Sequence, residues 1–70
     1  MRLSARNQLA GTVVSVTKGI VTAKVVVRLA GGDEIVSVIT VDSVKALRLK
    51  KGSQVKAIVK STEVMIAVDE

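Results

Sequence analysis

From Val21 to Leu29 every second residue is apolar. Val21, Ala23, Val25, Val27 and Leu29 fall on one side, with Thr22, Lys24 and Arg28 on the other. A period of two over this length fits a half-buried β-strand and not a helix, whose apolar side recurs every three to four residues. This stretch commits the chain to a sheet, and we read a strand from Ile20 to Leu29. Val26 and Ile20 are apolar on the second face, where a subunit contact would bury them.

The neighbouring segments supply partners. Gly11 to Thr17 reads as a first strand, with Val14 and Val16 alternating against Ser15 and Thr17, and Lys18-Gly19 reads as a turn. Gly31-Gly32-Asp33 is a hairpin signal. A third strand, Glu34 to Thr40, is apolar on both faces (Ile35 and Ile39 against Val36 and Val38), which predicts that both are covered. Then the period changes. Val41, Val44 and Leu47 recur at helical spacing, with Thr40 or Asp42 as cap, predicting one short helix. Lys51-Gly52-Ser53 reads as a turn, Gln54 to Ser61 as a fourth strand with Val55, Ala57 and Val59 inward, and Val64 to Val68 as a fifth. Five strands with one helix between the third and fourth is the element order of an OB-like barrel, a mainly β fold. With no repeat or linker, residues 1–70 read as one domain whose ends, Met1 to Leu3 and Asp69-Glu70, fray.

So short a chain buries only ~60% of its unfolded surface. It contains no Cys and no His, so disulfides and most transition-metal sites are not available to reinforce it. Assembly with further copies remains, and a hydrophobic content of 49% agrees, because apolar residues beyond the core's needs can be covered by a second subunit. No apolar run approaches a membrane span. Met1-Arg2-Leu3-Ser4 leads directly into a polar stretch, which reads as no signal peptide and makes the cytoplasm the default expectation.

A formal net charge of +5 points to an anionic partner: nucleic acid, an anionic membrane or a small oxyanion. The chain has no Phe, Tyr or Trp, so it lacks the stacking that gives single-strand binders ~1–3 kcal/mol per base. Phosphate-backbone contacts need no aromatics, so a basic OB-type nucleic-acid-binding module stays as the alternative. Catalysis finds little support. There is no His or Cys for acid–base or nucleophilic work, the carboxylates Asp33, Glu34, Asp42, Glu63, Asp69 and Glu70 fall mostly in turns and at the tail, and Gly31-Gly32 is not followed by the Lys-Ser or Lys-Thr of a phosphate loop.

Three segments concentrate hydrogen-bond donors: Ser4-Ala5-Arg6-Asn7-Gln8, Thr40 to Ser43 with the free N–H groups of a helix start, and Lys60-Ser61-Thr62. Each also has an ordinary reading, as a polar N-terminus, a helix cap and a polar turn. Together they offer many neutral donors and one or two cations, the mix that suits a tetrahedral dianion. A polyanion would need a stripe of cations. Lys18, Lys24, Arg28, Lys45, Arg48, Lys50, Lys51 and Lys56 are dispersed, and Arg48-Leu49-Lys50-Lys51 reads as solvated charge at the helix end.

At Ser4-Ala5-Arg6-Asn7-Gln8-Leu9-Ala10-Gly11 the sequence resembles the start of the molbindin family, small molybdate-binding proteins built on a Mop or TOBE-type domain. The resemblance continues through Val21 to Val27, Ala30-Gly31-Gly32, Ile39 to Val44 and Val59 to Ile66. It implies a free-standing molbindin that serves intracellular molybdenum storage or homeostasis. It further implies an OB-like barrel assembled as a homohexamer, a trimer of dimers, that binds molybdate and tungstate at subunit interfaces. Carried over by position, the site would take Ser4, the Ala5 backbone and Arg6 from one subunit and Thr40, Ser43, Lys60 and Ser61 from a neighbour. A second site type would lie near a threefold axis, with the Lys18-Gly19-Ile20 turn as its candidate.

Overall fold

A computed structural model describes residues 2–69. Four antiparallel strands form one sheet: β1 (Asn7–Lys18), β2 (Thr22–Leu29), β3 (Glu34–Thr40) and β4 (Gln54–Val59), in spatial order β3-β2-β1-β4. One α-helix, α1 (Val41–Ala46), connects β3 to β4, and a 3₁₀ turn, Ser61–Glu63, follows β4. The expected helix position is met. The expected five-stranded barrel is not: the described residues form a curled four-stranded sheet, a half-barrel.

The curl begins in β1. Its first half, Asn7 to Thr12, pairs with β4, and its second half, Gly11 to Lys18, pairs with β2. Between Val13 and Ser15 the register slips by one residue, so Val14 is the extra residue of a bulge. A bulge bends its strand and reverses inward parity beyond it. Hence Val13 lies opposite Val27 and Val16 opposite Val25 on the inner face, and Val13 is buried where a plain alternation would have chosen Val14. The strand also starts at Asn7 and not at Gly11. Its first residues are too polar to announce a strand locally, and they become one because β4 lies alongside. Gly11 stands where both pairings meet, and a Cβ there would come within 2.5 Å of Val27 Cγ1 and 2.8 Å of the Arg28 carbonyl oxygen.

The alternation in β2 is realised, with Ala23, Val25 and Val27 at 2–5% exposure. The strand begins at Thr22; Val21 and Ile20 lie in an exposed turn closed by Gly19 N–H to the Thr22 carbonyl at 2.8 Å. The hairpin at Gly31-Gly32-Asp33 forms with Gly32 at φ +95°. An exposed Arg28–Glu34 ion pair at 2.8 Å spans its base, a contact worth ~0–1 kcal/mol.

Thr40 caps α1 by accepting the Ser43 N–H at 3.0 Å. Val44 is buried and closes one end of the sheet, whereas Leu47 is exposed because the helix has ended. Leu49 packs in its place. Its N–H reaches the Val44 carbonyl and that of Arg48 reaches Lys45, a Schellman motif that sets Arg48 at φ +54° where glycine is the usual choice.

The fully buried core is small: Val13, Ala23, Val25, Val27 and Val44. Ile35 and Ile39 of β3 pack partly inward, but Val36 and Val38 stay exposed, so one copy does not supply the cover expected for that face. The fifth strand is also missing. Val64 to Val68 has no regular structure, and among the described residues Met65 to Asp69 make no backbone hydrogen bond to the rest of the chain. The residues have strand character, but a strand exists only against an edge, and this segment lies along neither β3 nor β4 of its own copy. The fraying expected of Met1 and Glu70 lies outside the described residues.

Candidate functional site

The donor segments fall into two groups, placed by the strand registers. β1 and β4 pair up to Asn7 opposite Val59, so Arg6 and Lys60 are the next residues at that corner, with Ser4-Ala5 and Ser61 beyond them. Thr40 lies opposite Thr22, and Lys18 opposite Ala23, so Thr40 and Ser43 sit where β1 ends. The twelve residues of β1 separate the two groups, roughly 36 Å of strand path.

At the first corner the donors are free. Ser4, Arg6, Lys60 and Ser61 are exposed, and among the described residues no acceptor engages their side chains. Ala5 is half-buried. Its carbonyl accepts Gln8 Nε2–H at 2.9 Å, while its own N–H has no acceptor among the described residues. Gln8 therefore shapes the Ser4–Arg6 segment. Sequence reasoning placed it in the donor cluster without seeing this role, whose only local signal is an amide three residues after Ala5. Arg6 and Lys60 bring two positive charges to adjacent strand ends, and neither joins the one ion pair found among the described residues, Arg28–Glu34.

At the second corner the donors are partly spent. Val41 N–H donates to the Val21 carbonyl at 2.8 Å and Ser43 N–H to Thr40 Oγ1, so the expected set of free helix-start N–H groups is reduced by two. Thr40 Oγ1–H donates to Ser43 Oγ at 2.8 Å, which leaves the Ser43 hydroxyl proton as the outward donor. At the Lys18-Gly19-Ile20 turn the Gly19 N–H is likewise used within the turn, leaving the Lys18 ammonium. No group of three or more Asp, Glu, His or Cys among the described residues could hold a metal cation, and no helix is long and apolar enough to cross a membrane.

A third feature is an open groove of about 780 Å³. Its walls are β3 (Ile35 to Ile39) and β4 (Val55 to Val59), and the core residues Val13, Val25 and Val27 form its floor. Both walls are edge strands, with unpaired backbone groups along them.

The chain is thus a half-barrel with a corner of exposed hydrogen-bond donors and an open apolar groove, the architecture of a small binding module rather than of a catalytic site. The TOBE domain model matches residues 3–66. Molybdenum-pterin-binding protein 2 of Clostridium pasteurianum is 56% identical over 66 residues, covering 94% of this chain and 97% of that protein. A molybdate-binding protein from Sporomusa ovata superposes with a TM-score of 0.91 at 44% identity, over 97% of this chain and 100% of that one. The cytoplasmic molybdate-binding protein ModG, in a crystal form with molybdate bound, gives a TM-score of 0.84 at 46% identity, over 87% of this chain and 43% of that one. The chain belongs to the TOBE-domain family, in the group of small molybdenum-pterin-binding (Mop) proteins also called molbindins. That is a family of binding proteins and not a known class of enzyme.

Proposed function

We propose that this protein binds molybdate, and tungstate with it, between copies of itself, as a store or buffer for the oxyanion in the cytoplasm, with residues 1–70 as one such domain. The observation that carries this reading is the corner of free donors. Arg6 and Lys60 supply two cations that have no ion-pair partner among the described residues, and Ser4, the Ala5 N–H and Ser61 supply neutral donors beside them. This is the complement of a tetrahedral dianion, charge for charge and oxygen for donor. The register favours taking Ser4, Ala5, Arg6, Lys60 and Ser61 from one copy, with Ser43, positioned by Thr40, from a neighbour. That division differs from the one the resemblance alone implies, which groups Lys60 and Ser61 with Thr40 and Ser43. Closure by a second copy removes water and strengthens each charge-assisted bond.

Assembly is supported by two uncovered apolar surfaces. Val64, Met65, Ile66 and Val68 are 48–92% exposed on an unpaired C-terminal arm, and the groove between β3 and β4 has room and open edges for one more strand. We propose that the arm of one copy fills the groove of another, completing the five-stranded barrel. Val36 and Val38, 60% and 68% exposed on the β3 wall of the groove, add apolar surface there that a neighbouring copy would cover.

The relatives' name mentions a pterin. With no Phe, Tyr or Trp, this chain has no ring on which a pterin could stack, which favours the oxyanion itself as ligand. Nucleic acid is disfavoured on the same ground, and Arg28, one of the dispersed cations, is already paired with Glu34. Calorimetric titration checks the reading. Saturable heat is expected with molybdate and none with sulfate, a smaller dianion of the same shape, or with a pterin. Equal heat with sulfate, or silence with molybdate on a folded protein, would contradict it.

A further inference from the structure

The root of the C-terminal arm is also the donor corner. Lys60 is the residue before the 3₁₀ turn and Ser61 its first residue, and Val64, where the arm begins, is its C-cap in extended conformation. The turn is slight. Glu63 N–H donates to the Lys60 carbonyl at 2.9 Å, Val64 N–H reaches the Ser61 carbonyl only at 3.4 Å, and no side chain caps it. Beyond it the chain makes no backbone bond to its own copy among the described residues. One weak turn therefore decides the direction in which five apolar residues leave the sheet, and the two residues that open it are those that would hold the anion.

Resting on the oxyanion reading above, we propose that this turn is a ligand-set latch: an oxyanion held by Lys60 and Ser61 fixes the arm in the groove of its neighbour and so controls how fast copies exchange. An anion that engages Lys60 Nζ and Ser61 Oγ together restricts the backbone of both residues, and an arm seated in a second copy restricts the same residues from the other side. Whichever event comes first supplies ordering that the second no longer has to, so the two favour each other, and the coupling is reciprocal. The latch differs from simple linkage through a shared interface because it runs through the stiffness of Ser61–Glu63. It therefore predicts what happens when that stiffness is removed.

The test mixes isotopically heavy and light protein and follows the appearance of mixed assemblies by native mass spectrometry. Saturating molybdate is expected to slow exchange at least tenfold in the parent, and sulfate to leave it unchanged. In the Thr62→Gly variant, which loosens the turn and leaves the groove-lining Glu63 in place, molybdate is expected to bind with heat comparable to the parent but to slow exchange less than twofold. Full slowing in that variant overturns the latch and assigns the effect to the interface as a whole. If the variant does not assemble, hydrogen exchange of the parent decides: the Glu63 and Val64 amides are expected to gain protection with molybdate, and unchanged protection overturns the proposal. Heat of binding without any change in exchange sinks the latch alone. Absence of heat sinks the oxyanion reading and the latch with it.

Discussion

Replacing Ile66 by aspartate is expected to convert the assembly into folded monomers at micromolar concentration, read by light scattering after size-exclusion chromatography. In an extended arm Val64, Ile66 and Val68 share one face, and in the proposed assembly that face would enter the groove floored by Val13, Val25 and Val27. Seating an apolar side chain of this size contributes about 1.5–3 kcal/mol. Putting an unpaired carboxylate there instead costs several kcal/mol for every copy. Within its own copy Ile66 is 85% exposed and lies outside the core, so the monomer should keep the circular dichroism of its four-stranded sheet and lose only the strand signal of the seated arm. Met65→Asp falls on the opposite face of the arm and should weaken assembly much less. An Ile66→Asp protein with the parent's mass would show that the arm does not hold copies together.

Arg6→Ala is expected to weaken molybdate binding about a hundredfold by calorimetry, with the melting temperature of the unliganded protein unchanged. A guanidinium can grip two oxygens of the anion at once, and a charge-assisted pair of bonds is worth about 3 kcal/mol, which corresponds to that factor. The fold should not notice, because Arg6 precedes β1, is exposed and has no ion-pair partner among the described residues. Arg6→Lys keeps the charge and loses the fork, so it should recover part of the affinity. Parent-like binding by Arg6→Ala would remove Arg6 from the site.

What could be read in advance follows the range of the forces involved. The alternation of β2, the glycine hairpin and the Thr40-capped helix are local patterns, and they appear where the residues put them. The bulge at Val14 left no such pattern, since Val13 and Val14 are the same residue type and only the pairing with β2 decides which faces inward. Asn7 to Ala10 became strand through β4, more than forty residues away, and no local period could report it. The fifth strand was misplaced for a related reason. Val64 to Val68 has the composition of a strand, but a segment becomes one only where an edge receives it. The donor segments were legible as chemistry because Ser, Thr, Arg and Lys state their donors outright. Their grouping was not, because it depends on the register that sets Arg6 beside Lys60 and leaves Thr40 at the far end of β1.

In the proposed assembly the oxyanion is held between copies and not by one. Native mass spectrometry of the protein in molybdate, across a dilution series in which assembled and single copies coexist, tests it most directly. Molybdate adducts are expected on the assembled species, in a fixed ratio to the number of copies, with single copies bare. Single copies carrying molybdate at the same occupancy as the assembly would contradict it.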